Sequence, residues 1–174
     1  TTSEVPTLSH QEQEEIVAFV VKQVAGRLPL VLGIGGNSTA AVVEKIECWK
    51  DILAEHFDAI LSVTPYYNKA TQGGLIKHFS MVADAATKPV IMYNVPSRTG
   101  VNIRPETVET LADHPNIVGL KEASGDMSQV VSIAARCAGK LDIYSGEDAL
   151  TVPMMSVGGM GCISVLSNVV PKMA

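Results

Sequence analysis

The sequence predicts an α/β fold, because short apolar runs alternate with amphipathic segments along all 174 residues. Six of the runs are apolar for long enough to be strands that are buried on both faces. They are LPLVLGI (28–34), DAILSVT (58–64), PVIMYNV (89–95), NIVGLK (116–121), KLDIYS (140–145) and MGCISV (160–165). No linker or low-complexity segment interrupts the alternation, so we expect residues 1–174 to form a single domain.

The segments between the runs predict helices. A capping box at Ser9 and Glu12 opens the first of them, and Pro105 suits the first turn of a helix that continues through Leu111. Further helices are expected over 38–55, 72–86, 127–138 and 148–156. The alternation fits an open doubly wound sheet or a (β/α)8 barrel seen incompletely, and both architectures place functional loops at the carboxyl ends of the strands.

Composition excludes several classes of function. Eighteen acidic residues against thirteen Lys and Arg leave a net charge of -5 with no basic cluster, so nucleic acid is not an expected partner. The uncharged segment 149–171 contains Pro153 and three glycines, which favours buried strand and loop over a membrane span. The three cysteines are far apart and are interpreted as reduced core residues. The polar, acidic residues 1–15 do not have the pattern of a signal peptide, which makes the cytoplasm the expected location.

Three weaker patterns favour structural interpretations. In the stretch Gly33-Ile-Gly-Gly, the third glycine of a dinucleotide loop is replaced by Ser38, so a helix capped by Asn37 or Ser38 is favoured. The four histidines have no metal-ligand spacing, and each is predicted to be solvated at the surface. Asp58, Asp126 and Asp148 could suggest a metal rim, but Asp58 begins its strand at the end away from the functional loops. No metal site is predicted.

Lys121 is the sharpest candidate for chemistry, since it stands where an apolar strand ends and lysine is seldom fully buried. Burial lowers the pKa of an amine, and the neutral amine is a nucleophile toward carbonyl carbon. The alternative is an ordinary ion pair with a carboxylate. Arg98 similarly suits either a substrate carboxylate or a surface salt bridge, and the hydroxyl of Tyr93 needs a partner if it is buried.

Four motifs occur in the order found in one known family. They are VTPYYNK (63–69), YNVPSRTGV (93–101), GLKEASGD (119–126) and YSGEDAL (144–150). On these motifs the chain resembles the dihydrodipicolinate synthase family, which are lysine-dependent aldolases built on a (β/α)8 TIM barrel. The family barrel extends beyond this sequence on both sides, so the resemblance implies an incomplete portion of about six strands plus the end of an earlier one, truncated at both ends.

The resemblance also implies a reaction and its residues. Lys121 forms an imine with pyruvate, and the derived enamine attacks L-aspartate 4-semialdehyde, with no metal or organic cofactor. Tyr93, Thr1 and Tyr67 match a proton relay, in which Tyr67 reaches the neighbouring subunit across the tight interface of a homodimer or homotetramer. The residues that match substrate-binding positions are Thr2, Arg98, Gly146 and Ile163.

Some alternatives and departures from the family stay open. N-acetylneuraminate lyases and other pyruvate-dependent aldolases share the lysine, but Arg98 favours the synthase. A related barrel could instead serve as an interaction protein, and the retained Lys121, Tyr93 and Arg98 argue against that alternative. Ser3 replaces a glycine that follows the paired threonines, which could strain that loop. Ala41 replaces an acidic residue of a lysine-binding pocket to which Asn37 and Tyr66 correspond, so feedback inhibition by lysine is not expected.

Overall fold

The six predicted strands form one parallel sheet in a computed structural model that describes residues 1–173. The strands are β1 (Val31–Gly33), β2 (Ala59–Val63), β3 (Val90–Asn94), β4 (Ile117–Glu122), β5 (Asp142–Ser145) and β6 (Gly161–Cys162). The α-helices are α1 (His10–Val24), α2 (Thr39–Cys48), α3 (Lys50–His56), α4 (Gln72–Ala85), α5 (Pro96–Thr99), α6 (Pro105–Leu111), α7 (Met127–Arg136) and α8 (Thr151–Ser156). Short 3-10 turns lie at Val5–Thr7, Asp148–Leu150 and Leu166–Asn168.

The strand order is the same as the order in the chain, from β1 to β6, and every neighbouring pair is parallel. A doubly wound sheet reverses its order at a switch point, whereas consecutive strands of a (β/α)8 barrel do not. The order therefore confirms the predicted incomplete barrel and excludes the open-sheet alternative. Residues 1–4, where the end of an earlier strand was expected, form a turn closed by a hydrogen bond from the Glu4 N–H to the Thr1 carbonyl.

Alternation along the strands separates two faces of the sheet. Ile60, Met92 and Leu120 point toward the helices and are fully buried in the main hydrophobic core. The intervening residues point to the opposite face, which becomes the inside of the barrel wall. The fold thus gives every strand end one side chain facing a helix and one facing the barrel interior.

The predicted helix starts are confirmed where caps were expected. Ser9 and Glu12 make the reciprocal capping box at the start of α1, and the Ser38 hydroxyl accepts a hydrogen bond from the Ala41 N–H at the start of α2. The single helix predicted over 38–55 is divided at Trp49, which has φ −103° and ψ 10°. Trp49 packs against the core there, and the change of direction lets α3 bury Leu53.

Three other predictions need correction. The helix predicted over 148–156 begins as a 3-10 turn. Cys48 is exposed rather than part of the core. His78 is not solvated, because tertiary packing places it between α4 and α2 with only 2% of its surface exposed.

The segment 149–171 combines α8, β6 and a 3-10 turn, and several of its apolar residues are exposed, so its predicted burial is only partial. Among the helices formed by residues 1–173, none has both the length and the apolar character needed to cross a membrane.

Candidate active site

Lys121 and Tyr93 lie side by side on the inward face of the sheet, near the carboxyl ends of β4 and β3. The two residues are paired in the parallel register, and both are buried, with 5% and 7% of their surfaces exposed. The Lys121 amine lies over the aromatic ring of Tyr93, with Nζ 4.3 Å from the ring centroid. An amine in this position interacts with the electron-rich face of the ring.

Burial lowers the pKa of the Lys121 amine, and this effect outweighs the opposite influence of the nearby Cys162 and Asp148. No carboxylate forms a salt bridge with Lys121 among residues 1–173. The ion-pair alternative raised by the sequence is therefore absent from this part of the chain. A lowered pKa increases the fraction of neutral amine, which is the form that attacks a carbonyl carbon.

Asp148 belongs to the loop after β5 and lies next to the site. Its role in holding the neighbouring loop was not predicted from the sequence. Its carboxylate accepts hydrogen bonds from the Ser164 hydroxyl and from the backbone N–H groups of Val165 and Leu166. The bond from Ser164 is the main reason why the pKa of Asp148 lies below its ordinary value. These bonds fix the loop after β6 next to the loop after β5, and so hold the segment that follows Ile163.

A cavity of about 650 Å³ opens at these strand ends. Six of the residues that the sequence analysis assigned to the site line it, namely Thr1, Thr2, Tyr93, Arg98, Lys121 and Ile163. Residues from the N-terminal turn, β3, α5, β4 and the end of β6 thus meet at one place. The volume lies within the range of pockets that hold small molecules.

Arg98 is carried by α5, the short helix that follows β3. Its side chain makes no salt bridge and no hydrogen bond with residues 1–173, so the surface salt bridge considered for it is not found there. A guanidinium without a protein partner on a cavity wall can receive a ligand carboxylate through two parallel hydrogen bonds.

Gly146 follows β5 and lies against the lysine side chain. A Cβ atom at this position would be 2.7 Å from Cβ of Ala123 and 3.0 Å from Cε of Lys121, so a larger residue would displace its neighbours. The Gly146 N–H donates to the carbonyl of Glu122 at 2.8 Å. The glycine therefore permits the close approach of the loop after β5 to Lys121.

Tyr67 is separate from the cavity. It is 87% exposed and adopts a left-handed backbone conformation with φ 72°, whereas the adjacent Tyr66 lines the cavity. Tyr93 and Thr1 border the same space, but the Tyr93 hydroxyl makes no hydrogen bond to residues 1–173. The chain by itself does not connect the three members of the predicted relay.

The N-terminal turn shows no strain at Ser3. The residue with a left-handed backbone is Glu4, with φ 50°, and Ser3 does not have a positive φ. The concern that serine would resist the angles of the replaced glycine is therefore not supported by the backbone. Thr1, Thr2 and Ser3 all line the cavity.

Four polar residues close to this site were not predicted from the sequence: Asn94, Asn102, Glu122 and Gln129. Asn94 and Glu122 directly follow Tyr93 and Lys121 in the chain, and three of the four residues are almost fully buried. Asn94 and Glu122 could have been found from one pattern in the sequence. In that pattern, a charged or amide residue stands beside a site residue at the end of an apolar strand.

Comparison with known proteins identifies the family. The dihydrodipicolinate synthetase family model matches residues 1–174. The chain belongs to this family. Proteins named 4-hydroxy-tetrahydrodipicolinate synthase from Geobacter metallireducens and Leptospira biflexa are 49% and 46% identical to it over 172 residues, which are 99% of this chain and 58% of each relative.

A solved structure supports the same assignment. The chloride-inhibited dihydrodipicolinate synthase from Acinetobacter baumannii, complexed with pyruvate, is 41% identical and superposes with a TM-score of 0.92. The match covers 98% of this chain and 58% of that structure. The chain therefore has the dihydrodipicolinate synthase fold over 98% of its length, and it spans 58% of the length of the relatives it matches.

Proposed function

We propose that this chain carries the lysine-bearing part of an enzyme that condenses pyruvate with L-aspartate 4-semialdehyde to 4-hydroxy-tetrahydrodipicolinate, at the start of diaminopimelate and lysine biosynthesis. The main supporting observation is the desolvated amine of Lys121 over Tyr93, on the wall of a cavity that also carries Arg98. The names of the relatives agree with this reaction. The cytoplasm remains the predicted location.

Lys121 starts the proposed reaction. Its neutral amine attacks the ketone carbon of pyruvate, and loss of one water molecule gives the imine. The protonated imine nitrogen withdraws electrons, so a methyl proton leaves and an enamine forms. The enamine carbon attacks the aldehyde carbon of the second substrate, and the substrate amino group then displaces Lys121 to close the ring. The amine is regenerated, and one water molecule is released overall.

Positively charged and hydroxyl groups of the cavity suit the remaining tasks. In the proposal, Arg98 binds the carboxylate of the aldehyde substrate, and Thr1 and Thr2 bind that of pyruvate. Ile163 and Gly146 shape the pocket around the imine. Tyr93 is positioned against the Lys121 amine and is proposed to pass protons to and from the carbinolamine that precedes the imine.

Borohydride trapping tests the nucleophile directly. Incubating the full-length gene product with pyruvate and borohydride should reduce the imine and leave a stable adduct, which mass mapping should locate on Lys121. The exposed Lys140, paired with Asp113, offers a control, because Lys140→Ala should leave trapping unchanged. The absence of an adduct, or an adduct on another lysine, would contradict the proposal.

The second substrate is tested by comparing two reactions. We expect condensation of pyruvate with aspartate semialdehyde to be much faster than cleavage of N-acetylneuraminate, because Arg98 is free to bind the carboxylate of the semialdehyde. Arg98→Ala should raise KM for the aldehyde more than KM for pyruvate. Faster cleavage of N-acetylneuraminate would assign the chain to the lyase alternative instead.

We also propose that the enzyme is a homodimer or homotetramer in which Tyr67 completes the partner's site. The support is the 87% exposure of Tyr67 and its position outside the cavity of its own chain. Mixing Lys121→Ala protein with Tyr67→Phe protein should restore activity, because hybrid dimers contain one site with both residues. No recovery after confirmed subunit exchange would show that Tyr67 does not act in the partner.

Feedback by lysine is proposed to be weak. Ala41 is exposed at the start of α2 and supplies no carboxylate to bind the amine of lysine, although Asn37 and Tyr66 are present nearby in the chain. Titrating L-lysine into the condensation assay should reveal little inhibition, and strong inhibition would show that other groups bind it.

A further inference from the structure

Four polar side chains form a closed hydrogen-bonded ring behind the site, on the helix-facing side of β3 and β4. The ring consists of Asn94 in β3, Glu122 in β4, Asn102 in the loop before α6, and Gln129 in α7, and we call it the amide–carboxylate ring. Asn94 Nδ2 donates to Glu122 Oε2 at 2.9 Å and to Asn102 Oδ1 at 2.8 Å. Asn102 Nδ2 donates to Gln129 Oε1 at 2.7 Å, and Gln129 Nε2 donates to Glu122 Oε2 at 3.2 Å.

The ring is built around a buried carboxylate that has no cation beside it. Glu122 is 2% exposed and makes no salt bridge with residues 1–173. Besides the two amide groups, the Ser124 N–H donates to its Oε1 at 2.6 Å. Every one of these contacts needs an acceptor at position 122. A carboxylate supplies only acceptors. A glutamine at this position would direct its own N–H groups at the N–H donors of its neighbours and lose some of these hydrogen bonds.

The ring joins the two ends of the segment that carries Arg98. Asn94 precedes this segment and Asn102 follows it, and the side chains of the two residues are bonded to each other. Asn94 Oδ1 also accepts a hydrogen bond from the Ile103 N–H at 3.0 Å. The segment 95–101 is therefore closed at its base, while Arg98 at its tip has no protein partner among residues 1–173.

Alternation of the strands connects the ring to the cavity. Asn94 and Glu122 are paired in the register, as are Tyr93 and Lys121 one position earlier. The paired residues of each row lie on one face of the sheet, so the ring fixes the backbone directly behind the two inward-facing side chains. Lys121 and Arg98 are the two charged side chains that line the cavity among residues 1–173. Lys121 is held within a strand, whereas Arg98 lies on the segment that the ring closes at its base.

We propose that the amide–carboxylate ring is a tether that positions the Arg98 segment over the cavity and thereby sets the affinity for the carboxylate-bearing aldehyde. The substrate part of this inference rests on the proposed function, whereas the tether itself does not. The four residues are positioning residues, since none of them lines the cavity.

Hydrogen exchange tests the tether without using the reaction. Asn102→Ala removes the side-chain bonds that Asn102 makes to Asn94 and Gln129 at the base of the segment, and amide exchange over residues 95–101 should become about tenfold faster. The matched control is Asn116→Ala. Asn116 is also a partly buried amide, and its Nδ2 donates to the carbonyls of Ala83 and Ala86 near the opposite end of β4. The control should leave exchange over 95–101 unchanged.

Kinetics test the consequence for substrate binding. Asn102→Ala should raise KM for the aldehyde about tenfold and change KM for pyruvate by less than about twofold. In an Arg98→Ala background the same change should have almost no further effect, because a tether that acts through Arg98 has nothing left to position. Glu122→Gln should reproduce the pattern of Asn102→Ala, and Asn116→Ala should not.

The outcomes separate the two proposals. Unchanged exchange over 95–101 in Asn102→Ala would overturn the tether. Equal increases in both KM values, or a full effect in the Arg98→Ala background, would show that the ring serves general stability and would overturn its role in aldehyde binding. A wild-type protein that forms no pyruvate adduct would overturn the proposed function, while the exchange comparison would still decide the tether.

Discussion

The two faces of β3 and β4 are built differently at their carboxyl ends. On the cavity face, the Lys121 amine makes no hydrogen bond or salt bridge with residues 1–173, and neither does the nearby Arg98 guanidinium. On the helix face, one position further along, Asn94 and Glu122 are saturated by hydrogen bonds. A free polar group is available to a ligand, whereas a saturated group can only hold its neighbours. The cavity face is therefore the side on which we expect chemistry, and the helix face is the side on which we expect structural support.

Replacing the lysine should produce the largest effect. Lys121→Met keeps the length and apolar stem but removes the amine, so we expect turnover to fall by roughly 1,000-fold or more, as for the loss of a nucleophile. Stability at neutral pH should increase, because a desolvated amine with no hydrogen bond or salt bridge among residues 1–173 disfavours the folded state. Steady-state kinetics and urea unfolding measure the two effects.

The pH dependence of the stability gained in Lys121→Met tests whether desolvation of the amine causes that gain. The pKa of Lys121 is lowered in the folded protein, so the unfolded chain binds more protons between that pKa and about 10.5. The wild type should therefore gain stability as pH rises through this window, and its difference from Lys121→Met should shrink. A constant difference would show that the lysine is not desolvated in the way the structure indicates.

The close contact behind the lysine should produce the next largest effect. Gly146→Ala would place a methyl group 3.0 Å from Lys121 Cε, and the resulting shift of the amine should lower kcat about 10- to 100-fold. The matched control is Gly73→Ala in α4, where a Cβ atom meets nothing within 4 Å. That variant should keep full activity and gain about 0.5–1 kcal/mol of stability from helix propensity. Normal kcat in Gly146→Ala would show that the lysine position tolerates movement.

The cavity face was largely predictable from sequence, because its residues stand in recognisable local patterns. Lys121 and Tyr93 end apolar runs, and period-two alternation places them on one face once the strands are parallel neighbours. All six strands were located from the same runs, although the structure shortens five of them and shifts β4 by one residue. The family motifs added residues such as Thr1 and Ile163, whose meeting depends on the whole barrel.

The helix face was not predictable in the same way. The ring joins residues up to 35 positions apart, and no local pattern shows that Asn102 reaches Asn94 or that Gln129 turns inward. His78 was wrongly predicted to be solvated because polarity was the only available guide, and contact between α2 and α4 overrides it. The division of the helix at Trp49 has the same origin, since long-range packing decides where the chain changes direction.

His78 tests whether a polar group with an unpaired nitrogen on the helix side lowers the stability of the fold. Its Nδ1 lies 2.8 Å from the Thr39 hydroxyl, and its Nε2 is buried without a partner among residues 1–173. Burial lowers the pKa of His78 to about 4 from its ordinary 6.5. The unfolded chain binds more protons between these values, so folding stability should fall as pH falls through this window, by roughly 3 kcal/mol. Urea unfolding between pH 7 and pH 4 measures this loss.

A substitution separates His78 from the other groups that titrate in the same range. His78→Gln should have a smaller loss of stability between pH 6.5 and pH 4 than the wild type, although its stability at pH 7 is lower. His10→Gln, at an exposed position, should keep the wild-type slope. An unchanged slope in His78→Gln would indicate that other groups cause the acid sensitivity.

The smallest expected effect concerns Thr64, which follows β2 on the helix face. Its N–H donates to the Tyr93 carbonyl at 3.1 Å, but its buried hydroxyl has no partner among residues 1–173. Thr64→Val keeps the shape and removes the unpaired hydroxyl, so stability should rise by about 1 kcal/mol with no change in kcat.

Thr107→Val is the opposite case, because the buried Thr107 hydroxyl donates to Gln72 Oε1 at 2.6 Å, and its loss should cost about 1–2 kcal/mol. If both variants lose stability, the Thr64 hydroxyl has a hydrogen-bond partner outside the described residues. The polar groups on the helix face would then be fully hydrogen-bonded at the end of β2 as well as at β3 and β4.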